Sequence, residues 1–448
     1  MSHHRMRPSW RDNARKPPRN AVVVPPAGWL WTLPFTIHRG YAPGNFHVGG
    51  WDVSSLAPSG GTDIYVSLAG NDTTGDGSSG NPYRSVKKAS TVVVAGSTIH
   101  VAPGIYSYVS SGVWSGWDGY GPAGKTYSVK RWGASGDVVF SMHQALTYAL
   151  DPGLTFAYKG TLLSGTITRV FDAKTPDANG DYAELALVAN AATVDTTPAS
   201  WYTDGASLWV RLSDDRAPDS DVRPYTAADN GVIQRGSTVY VENCRFEGGT
   251  NAMSITSAGA GLAPATGYFK DCTFRYAVTE GLRALAGTII AQNCTASRAK
   301  NDDYKGDEYQ SNDPSGWSPA YVALIHCRAL YAGDGGAADN SGSLHGGAAV
   351  VTPGHWLSIN GDYSHADGPE CSHIELARAW HLGDHVHDTD PASSVNYRMS
   401  AGTMWLDTCW SEDATYDITL LGNAVCYKHN CIDAGAYSVE AGSTLASY

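Results

Sequence analysis

The sequence predicts an all-β protein of the solenoid type, and three observations carry this prediction. The 448 residues include 50 glycines, and the acidic residues are 34 aspartates but only 9 glutamates, so turn formers are abundant and surface helix formers scarce. A hydrophobic content of 42% excludes a disordered chain. One short cysteine-centred unit recurs through the second half of the sequence, which is typical of stacked repeats.

Residues 1–60 read as an extended arm that is basic at its start, then rich in proline, glycine and tryptophan. Six cations against Asp12 give residues 1–20 a charge of +5, which leaves −17 for the rest within a total of −12. We expect the arm to anchor the chain to an acidic partner in an oligomeric assembly, whereas the negative total disfavours nucleic-acid binding. The predicted partner-binding residues are Arg5, Arg7, Arg11, Arg15, Lys16, Arg19, Trp29 and Trp31.

The N-terminus predicts neither a secretory signal nor a membrane anchor. Its charged start is not followed by an apolar run, because Pro25, Pro26 and Pro34 interrupt residues 21–35. No segment approaches the roughly 18–20 apolar residues of a membrane helix. We therefore expect synthesis in a reducing cytoplasm, where the eight cysteines start as free thiols.

A solenoid is predicted to begin at about residue 62. Residues 63–67 suit a short strand, 70–82 a long turn, 83–94 one amphipathic helix, and Val101-Ala-Pro-Gly-Ile-Tyr a strand end and turn. This order of features resembles the opening of right-handed parallel β-helix proteins of the pectate-lyase-like superfamily. The resemblance implies a β-helix that starts over residues 62–136 with a capping helix and continues over 227–448.

Residues 137–226 interrupt this pattern and predict a hairpin-rich insertion between early coils. Residues 200–212 read as strand, turn and strand. We expect Trp201, Tyr202 and Trp209 to pack the insertion itself rather than to bind sugar.

From residue 231 onward, strands that end in cysteine recur as copies of one unit. Most of these cysteines follow one another at intervals that suit a single coil. The interval between Cys327 and Cys409 is longer and fits three coils, in which Asn360 and a position near 385 replace cysteine. A single coil cannot bury its apolar face alone, so such units stack on their neighbours. The repeat cysteines are Cys244, Cys272, Cys294, Cys327, Cys409 and Cys431.

Cysteines at one repeat position are predicted to form an inward-facing ladder, with about 4.8 Å between coils. Buried thiols pack as small hydrophobic groups, and the geometry of stacked parallel strands disfavours disulfides. Zinc is the alternative interpretation, but no C-x-x-C pair occurs and the cysteines lie in different coils. We interpret the ladder as core, with no metal site predicted.

Acidic residues gather at one predicted edge of the solenoid, between residues 300 and 390. Asn301, Asp334 and Asp367 are evenly spaced along the sequence, with Asp302 and Asp303 beside the first. Acids on adjacent coils would lie about 5 Å apart and acids two coils apart about 10 Å, near the separations that glycosidases use. Asp302, Asp303, Asp334 and Asp367 are therefore the candidate catalytic residues, and ordinary Asp-Gly turns are the alternative.

Histidines concentrate in the same region, and nine of the 15 lie between residues 326 and 429. His385 and His387 share one face of a predicted strand. With Asp384 or Asp388 they suit a hydrogen-bonded structural cluster, with an acid/base pair or a metal site as alternatives. No cofactor is predicted; calcium at Asp72 or Asp76 is the alternative to a plain turn.

Residues 290–435 resemble β-helix tail-fibre and spike proteins of tailed phages, through stretches such as Ser343-Leu-His-Gly-Gly and Trp380-His-Leu-Gly. The resemblance implies a virion surface protein, anchored by residues 1–60 to other virion proteins, whose side face binds bacterial polysaccharide. The alternatives are a polysaccharide-degrading hydrolase or lyase and a purely structural fibre. The candidate glycan-binding residues are Tyr304, Tyr309, Trp317, Tyr331, Tyr363, His345 and His365.

Overall fold

Short alternating runs of apolar and polar residues form strands that stack coil upon coil into a parallel β-helix. The fold is seen in a computed structural model, which confirms the predicted architecture. The structure describes residues 21–40, 42, 44–109, 113–114, 119–120, 122–178, 180–256, 263–307, 309–310, 317–332, 344–346, 354–365, 370–388, 395–433 and 435–448.

The first sheet contains twelve parallel strands within the described residues. Alternate side chains point into the core and outward, as the period of two in a strand requires. Its strands are Asp63–Val66, Ser97–Val101, Thr126–Arg131, Thr238–Glu242, Thr266–Lys270, Thr288–Gln292, Tyr321–Ile325, His355–Ile359, Arg378–Leu382, Thr403–Asp407, Val425–His429 and Thr444–Ser447.

The second sheet has a parallel part built by the coils and four further strands that pair antiparallel. The parallel strands in the described chain are Gly104–Val109, Val138–Gln144, Cys244–Glu247, Thr273–Arg275, Thr295–Ser297, Arg328–Ala332, Asp362–His365, His385–Asp388, Trp410–Glu412 and Ile432–Asp433. The antiparallel strands are Val113–Trp114, Ile167–Asp172, Ala183–Glu184 and Val222–Thr226.

The third sheet contains ten parallel strands within the described residues. They are Gly119–Tyr120, Gly231–Gln234, Asn251–Thr256, Glu280–Leu285, Asp302–Asp307, Leu344–Gly346, Glu370–Glu375, Val395–Ser400, Tyr416–Leu421 and Ala436–Val439. A separate antiparallel pair joins Tyr309–Gln310 to Trp317–Ser318.

One residue with left-handed backbone makes the corner between the first and second sheets in each coil from residue 243 onward. Asparagine and aspartate tolerate this conformation better than most residues, and glycine best of all. This requirement explains why Asn or Asp so often precedes the repeat cysteine. The corner residues, with φ between 50° and 67°, are Asn243, Asp271, Asn293, His326, Asn360, Gly383, Thr408 and Asn430.

The predicted cysteine ladder is confirmed, because the repeat cysteines follow these corners and face the core as free thiols. Each repeat thiol also lies 3.3–3.7 Å from the carbonyl oxygen two residues earlier. The strand register puts Gly361 and Asp384 at the positions without cysteine. Assigning Asn360 to the ladder was therefore wrong by one residue, since Asn360 is the corner.

The insertion begins after the strand Val138–Gln144, because this strand belongs to the β-helix and pairs with Cys244–Glu247. The predicted start at residue 137 was therefore too early. The insertion contains a sheet of five strands, Tyr148–Leu150, Tyr158–Thr161, Ala186–Leu187, Ser200–Thr203 and Ser207–Arg211, and the helix Ala191–Thr196. Trp201 and Trp209 are buried inside it.

A short helix, Val86–Val92, packs at the start of the solenoid. The Oγ of Ser85 accepts a hydrogen bond from the backbone N–H of Lys88, at 3.1 Å, and so caps the helix N-terminus. Val86 and Ala89 are fully buried in the main core.

The described residues of the range 21–56 lie on the outer face of the first sheet of this same chain, whereas the prediction had the whole arm up to residue 60 lying on a partner. The segment forms the strands Ala21–Val23, Ile37–Arg39 and Phe46–His47 and the 3-10 helix Val53–Leu56. The first sheet meets it with an apolar row: Tyr240, Tyr268, Ile290, Ala323, Leu357, Trp380, Trp405 and Tyr427. We call residues 21–56 the cover segment.

Polar contacts hold the cover segment in register. Arg39 donates to the carboxylate of Asp407 and, at 3.2 Å, to the Oγ1 of Thr408. The backbone N–H of Val53 donates to the Oε1 of Gln292 at 2.8 Å. Trp29 and Trp31 therefore pack on this chain, with Trp29 edge-on to Trp380 at 5.6 Å between ring centroids. Their predicted role in binding another chain stays a prediction, and the contacts that the structure gives both rings are within this chain.

Candidate functional site

The outer face of the third sheet carries a row of nitrogen-bearing side chains, one from each of five successive strands. Strand pairing places Arg283 beside Lys305, Lys305 beside His345, His345 beside His373, and His373 beside Arg398. Neighbouring positions in such a row are about 4.8 Å apart. The row therefore places side-chain nitrogen atoms at regular intervals along the solenoid axis, with Arg283 28% exposed and His345 and His373 buried.

Carboxylates beside this row form what we call the ionic cluster, composed of Glu280, Arg283, Asp302, Lys305, Asp307 and His345. The Nζ of Lys305 lies 3.1 Å from Asp302 Oδ2, 3.8 Å from Glu280 Oε1 and 3.9 Å from Asp307 Oδ2. His345 Nδ1 is 3.1 Å from the same Oδ2 of Asp302. Arg283 lies 3.2 Å from Asp307, nearer the surface. Opposite charges thus share one buried site.

Glu280 and Asp302 are paired in register on adjacent strands of this cluster. Burial raises the pKa of Glu280, and the nearby Arg283 and Lys305 only partly offset that effect. For Lys305, burial alone would lower the pKa, but Asp302, Asp307 and Glu280 outweigh it and raise the pKa. Glu280 is therefore the carboxyl of the cluster that holds a proton more readily than usual.

Two histidines extend the cluster along the sheet. His345 and His373 stack with ring centroids 5.0 Å apart and planes 8° from parallel. His373 Nε2 lies 3.0 Å from Glu375 Oε1, and this hydrogen bond lowers the pKa of Glu375. Glu375 is about one third exposed, so the row can be reached from solvent at this end.

A second group, the histidine–carboxylate cluster, lies on the outer face of the second sheet and consists of Asp362, His385, His387 and Glu412. Asp362 Oδ1 lies 3.5 Å from His385 Nδ1 and 3.3 Å from His387 Nε2. Glu412 Oε1 lies 3.1 Å from His385 Nε2. The two predicted histidines do meet carboxylates, but these come from the neighbouring coils, and Asp384 points into the core, where it pairs with His381 at 2.8 Å.

Electrostatics in this second group follow from those contacts. Burial alone would raise the pKa of Asp362, but hydrogen bonds to His385 and His387 hold it well below its usual range. Burial alone would lower the pKa of His385, but hydrogen bonds to Asp362 and Glu412 raise it. The two carboxylates therefore favour the protonated form of His385.

The candidate catalytic residues have different positions in the structure. Asp302 joins the ionic cluster, although it is fully buried. Asp303 is buried too, and its Oδ1 accepts a hydrogen bond from the Ala299 N–H at 3.3 Å. This burial raises the pKa of Asp303 well above its usual range and contradicts its predicted role as an acid open to a polymer. Asp334 and Asp367 lie outside the described residues.

The aromatic residues predicted to stack on sugar are largely internal. Tyr304 and Tyr363 are 1% and 0% exposed within the main core, so predicting them as glycan-binding residues was wrong. Arg298 covers the ring of Tyr331 at 4.8 Å. His345 belongs to the ionic cluster, whereas the side chains of Tyr309, Trp317 and His365 lie outside the described part of the structure.

Two further predictions concern the turn at residues 70–82 and the basic N-terminal residues. The Oδ1 of Asp72 accepts hydrogen bonds from the N–H groups of Arg84 and Ser85, and Asp76 accepts one from Ser78, so both carboxylates bond their own turn. Residues 1–20, with the six predicted partner-binding cations, lie outside the described residues. Among the described helices, none is long and apolar enough to cross a membrane.

Sequence reasoning missed Glu280, Asp362 and Glu412. Each of them belongs to a cluster only because it contacts a residue of the adjacent coil, and that residue is distant along the sequence. The available signal was the cysteine register: counted from the preceding corner, Asp362 and His385 occupy the same position in successive coils.

Comparisons with known proteins give distant likenesses. The family model described as "Protein of unknown function (DUF1565)" matches residues 68–113, a small part of the chain. No similar sequence was found among curated proteins.

Several solved structures share features of the fold. A structure titled as XylC with xylose has 11% identity and a TM-score of 0.45, over 84% of this chain and 70% of that one. Pectate lyase Pel9A has 12% identity and a TM-score of 0.33, over 89% and 78%. A siphovirus 9NA tailspike receptor-binding domain has 10% identity and a TM-score of 0.24, over 81% and 74%. Likenesses this distant assign no function, and the parallel β-helix rests on the strand pairing of this chain itself.

Proposed function

We propose that this protein binds an anionic polysaccharide along the outer face of its third sheet. The observation that carries the proposal is the in-register row of Arg283, Lys305, His345, His373 and Arg398 on five successive strands. Five positions at about 4.8 Å cover roughly 19 Å, which is a track suited to a polymer with regularly spaced groups.

Charged nitrogen donors suit the carboxylates of acidic sugars. An arginine makes two parallel hydrogen bonds to a carboxylate, and such charge-assisted bonds are stronger than neutral ones. The Arg283 side chain is 28% exposed, and its present partner Asp307 is itself partly exposed. A sugar carboxylate therefore has a route to replace Asp307 at the guanidinium.

Binding to immobilised acidic and neutral bacterial polysaccharides tests this proposal. Arg283→Gln is expected to weaken binding to acidic polymers about 10-fold or more, since a charge-assisted hydrogen bond contributes about 1.5–3 kcal/mol. Arg245→Gln is the matched control, because Arg245 is 31% exposed and pairs with Asp137 at 3.1 Å on another sheet. Equal losses in both variants, or equal binding of neutral polymers, would contradict the proposal.

We also propose that the protein acts on a virion surface as part of an oligomeric assembly, with the basic residues 1–20 as its attachment to other virion proteins. The charge contrast between this segment and the acidic body supports the idea. Because the cover segment starts at residue 21, a deletion of residues 2–20 is expected to abolish assembly and leave the β-helix folded. Normal incorporation of this truncated protein into particles would rule the idea out.

A second candidate function is cleavage of the bound polysaccharide, and the Glu280–Asp302 pair favours it. Carboxyl groups about 5 Å apart on adjacent strands suit an acid and a nucleophile, and the raised pKa of Glu280 suits the acid. Both are buried beside Lys305, so catalysis requires that Lys305 move aside when substrate binds.

Release of reducing ends or of unsaturated uronates from acidic polysaccharides measures this activity. Glu280→Gln and Asp302→Asn are expected to reduce it at least 100-fold, whereas Asp137→Asn, just before a strand of the second sheet, is expected to leave it unchanged. Binding without any product would leave the binding function as the whole function.

A further inference from the structure

We propose that the histidine–carboxylate cluster on the second sheet is a binding site for a divalent transition-metal ion, with Asp362, His385 and His387 as ligands. The three residues each offer one ligand atom, and these atoms lie within 4.8 Å of one another. They come from two adjacent coils, Asp362 from one strand and both histidines from the next.

Two of the three distances within the group match a common coordination sphere, and the third is within 4.8 Å. Ligands about 2.0–2.2 Å from a tetrahedral ion lie about 3.4 Å from each other. Asp362 Oδ1 is 3.5 Å from His385 Nδ1 and 3.3 Å from His387 Nε2. An ion can therefore be placed among these three atoms with little movement of the backbone, which the parallel pairing of the two strands fixes.

Glu412 supplies independent support, because it orients His385 from the far side of the ring. Its Oε1 lies 3.1 Å from His385 Nε2, so the Nε2–H donates to this carboxylate. With Nε2–H directed at Glu412, Nδ1 is the nitrogen that faces Asp362, so a metal ion can displace the proton between Nδ1 and the Asp362 carboxylate and bind both atoms. A histidine whose other nitrogen donates to a carboxylate is the usual arrangement around a bound metal ion.

The surroundings hold the ligands and leave one side open. Arg328 Nε binds the other oxygen of Asp362 at 3.2 Å, and Trp410 stacks under His385 at 4.4 Å between centroids. The side chains of Asp362 and His387 are about one third and one quarter exposed. Water or a ligand group can therefore fill a fourth position.

The donor set selects the class of ion. Two imidazoles and one carboxylate suit Zn²⁺, Co²⁺ or Ni²⁺, whereas Ca²⁺ and Mg²⁺ prefer oxygen ligands throughout. The proposed site therefore differs in its ligands from the calcium site considered as an alternative for the 70–82 turn, which would use carboxylate oxygens.

Titration of the full-length protein with Co²⁺ and Zn²⁺ tests this inference. All proteins carry His3→Gln and His4→Gln, which remove the adjacent histidines at the N-terminus as competing ligands. We expect one equivalent of Co²⁺ to bind with the visible absorption of a four-coordinate ion, and Zn²⁺ to displace it. Zn²⁺ is also expected to raise the melting temperature, because it binds the folded state.

Variants separate this site from other histidine–carboxylate pairs. Asp362→Asn and His387→Gln are expected to weaken Co²⁺ binding at least 100-fold, and Glu412→Gln about 10-fold, since it only orients a ligand. His100→Gln is the matched control, because His100 also pairs with a carboxylate, Asp63, at 2.9 Å. No Co²⁺ absorption at millimolar metal, or equal binding by Asp362→Asn and the control, would overturn the proposal. Zn²⁺ that stabilises Asp362→Asn as much as the parent would do the same.

Discussion

Two outer faces of one solenoid have opposite chemistry, although the same repeat builds both. On the first sheet the central outward position is occupied by residues such as Leu357 and Trp380, and the cover segment buries them. On the third sheet the equivalent outward row is Arg283, Lys305, His345, His373 and Arg398. The inward positions of both sheets are apolar and make one core. The outward residues of a sheet therefore indicate whether another segment covers that face, whereas the inward residues indicate only that the strand belongs to the solenoid core.

The largest expected effect tests whether the covered face behaves as core. Leu357→Asp buries a carboxylate beneath the cover segment without a partner, so we expect a loss of more than about 4 kcal/mol in the free energy of unfolding. Thr419→Asp places the same group on the outer row of the third sheet, next to Arg398, and is expected to change stability by less than about 0.5 kcal/mol. Urea unfolding of both variants measures the difference. Similar losses would mean that the two faces do not differ in burial.

The next effect concerns the cover segment itself. Trp29→Ala removes a ring that contacts Trp380 and His355, and we expect a loss of about 3 kcal/mol. Hydrogen exchange at residues 21–47 is expected to accelerate, while the strands of the third sheet keep their protection. Val24→Ala is the control, because Val24 is 77% exposed. Unchanged exchange in Trp29→Ala would show that other contacts hold the segment.

The smallest effect contrasts two buried glutamates by their dependence on pH. Burial alone would raise the pKa of Glu247, but Arg275 and Arg223 outweigh it and lower the pKa to about 2. Its contribution is therefore present above about pH 4.5 and is lost as the pH falls toward 2, which amounts to about 3 kcal/mol. Glu280 has a raised pKa, so its contribution is present at low pH and is lost as the pH rises through that pKa.

Melting curves across pH 2 to 7 check both signs. Glu247→Gln is expected to flatten the acid limb, and Glu280→Gln to stabilise the protein at neutral pH relative to the parent. The same slope in all three proteins would contradict the assignment of these charges.

The fold could be predicted from the sequence because each repeat is set by requirements on two adjacent residues. A left-handed corner needs Asn, Asp or Gly, and the position after it needs a small buried group, so the Asn-Cys and Asp-Cys pairs mark the coils. The coil at Asn360 shows where this prediction fails. It has no cysteine at the repeat position, and the predicted register there was wrong by one residue.

The site was less predictable because outward positions depend on contacts between coils. Asp303 and Tyr304 are consecutive residues of one strand, and both are buried, although the period of two in a strand predicts that they face opposite sides. The cover segment has no period of its own, because it follows the shape of the sheet beneath it. Trp29 was predicted to bind another chain, whereas the contacts that the structure gives it are with His355 and Trp380 of the same chain.

The single-residue corner between the first and second sheets has a consequence for how this protein can change. From Asn243 to Asn430 that connection keeps one length, whereas the other two connections of each coil vary widely in length. We call this row of constant corners the spine. Differences in coil length occur only at the other two connections. New binding loops can be inserted at residues 376–377 or 401–402 without disturbing the spine, so the scaffold can acquire specificity while its register stays fixed.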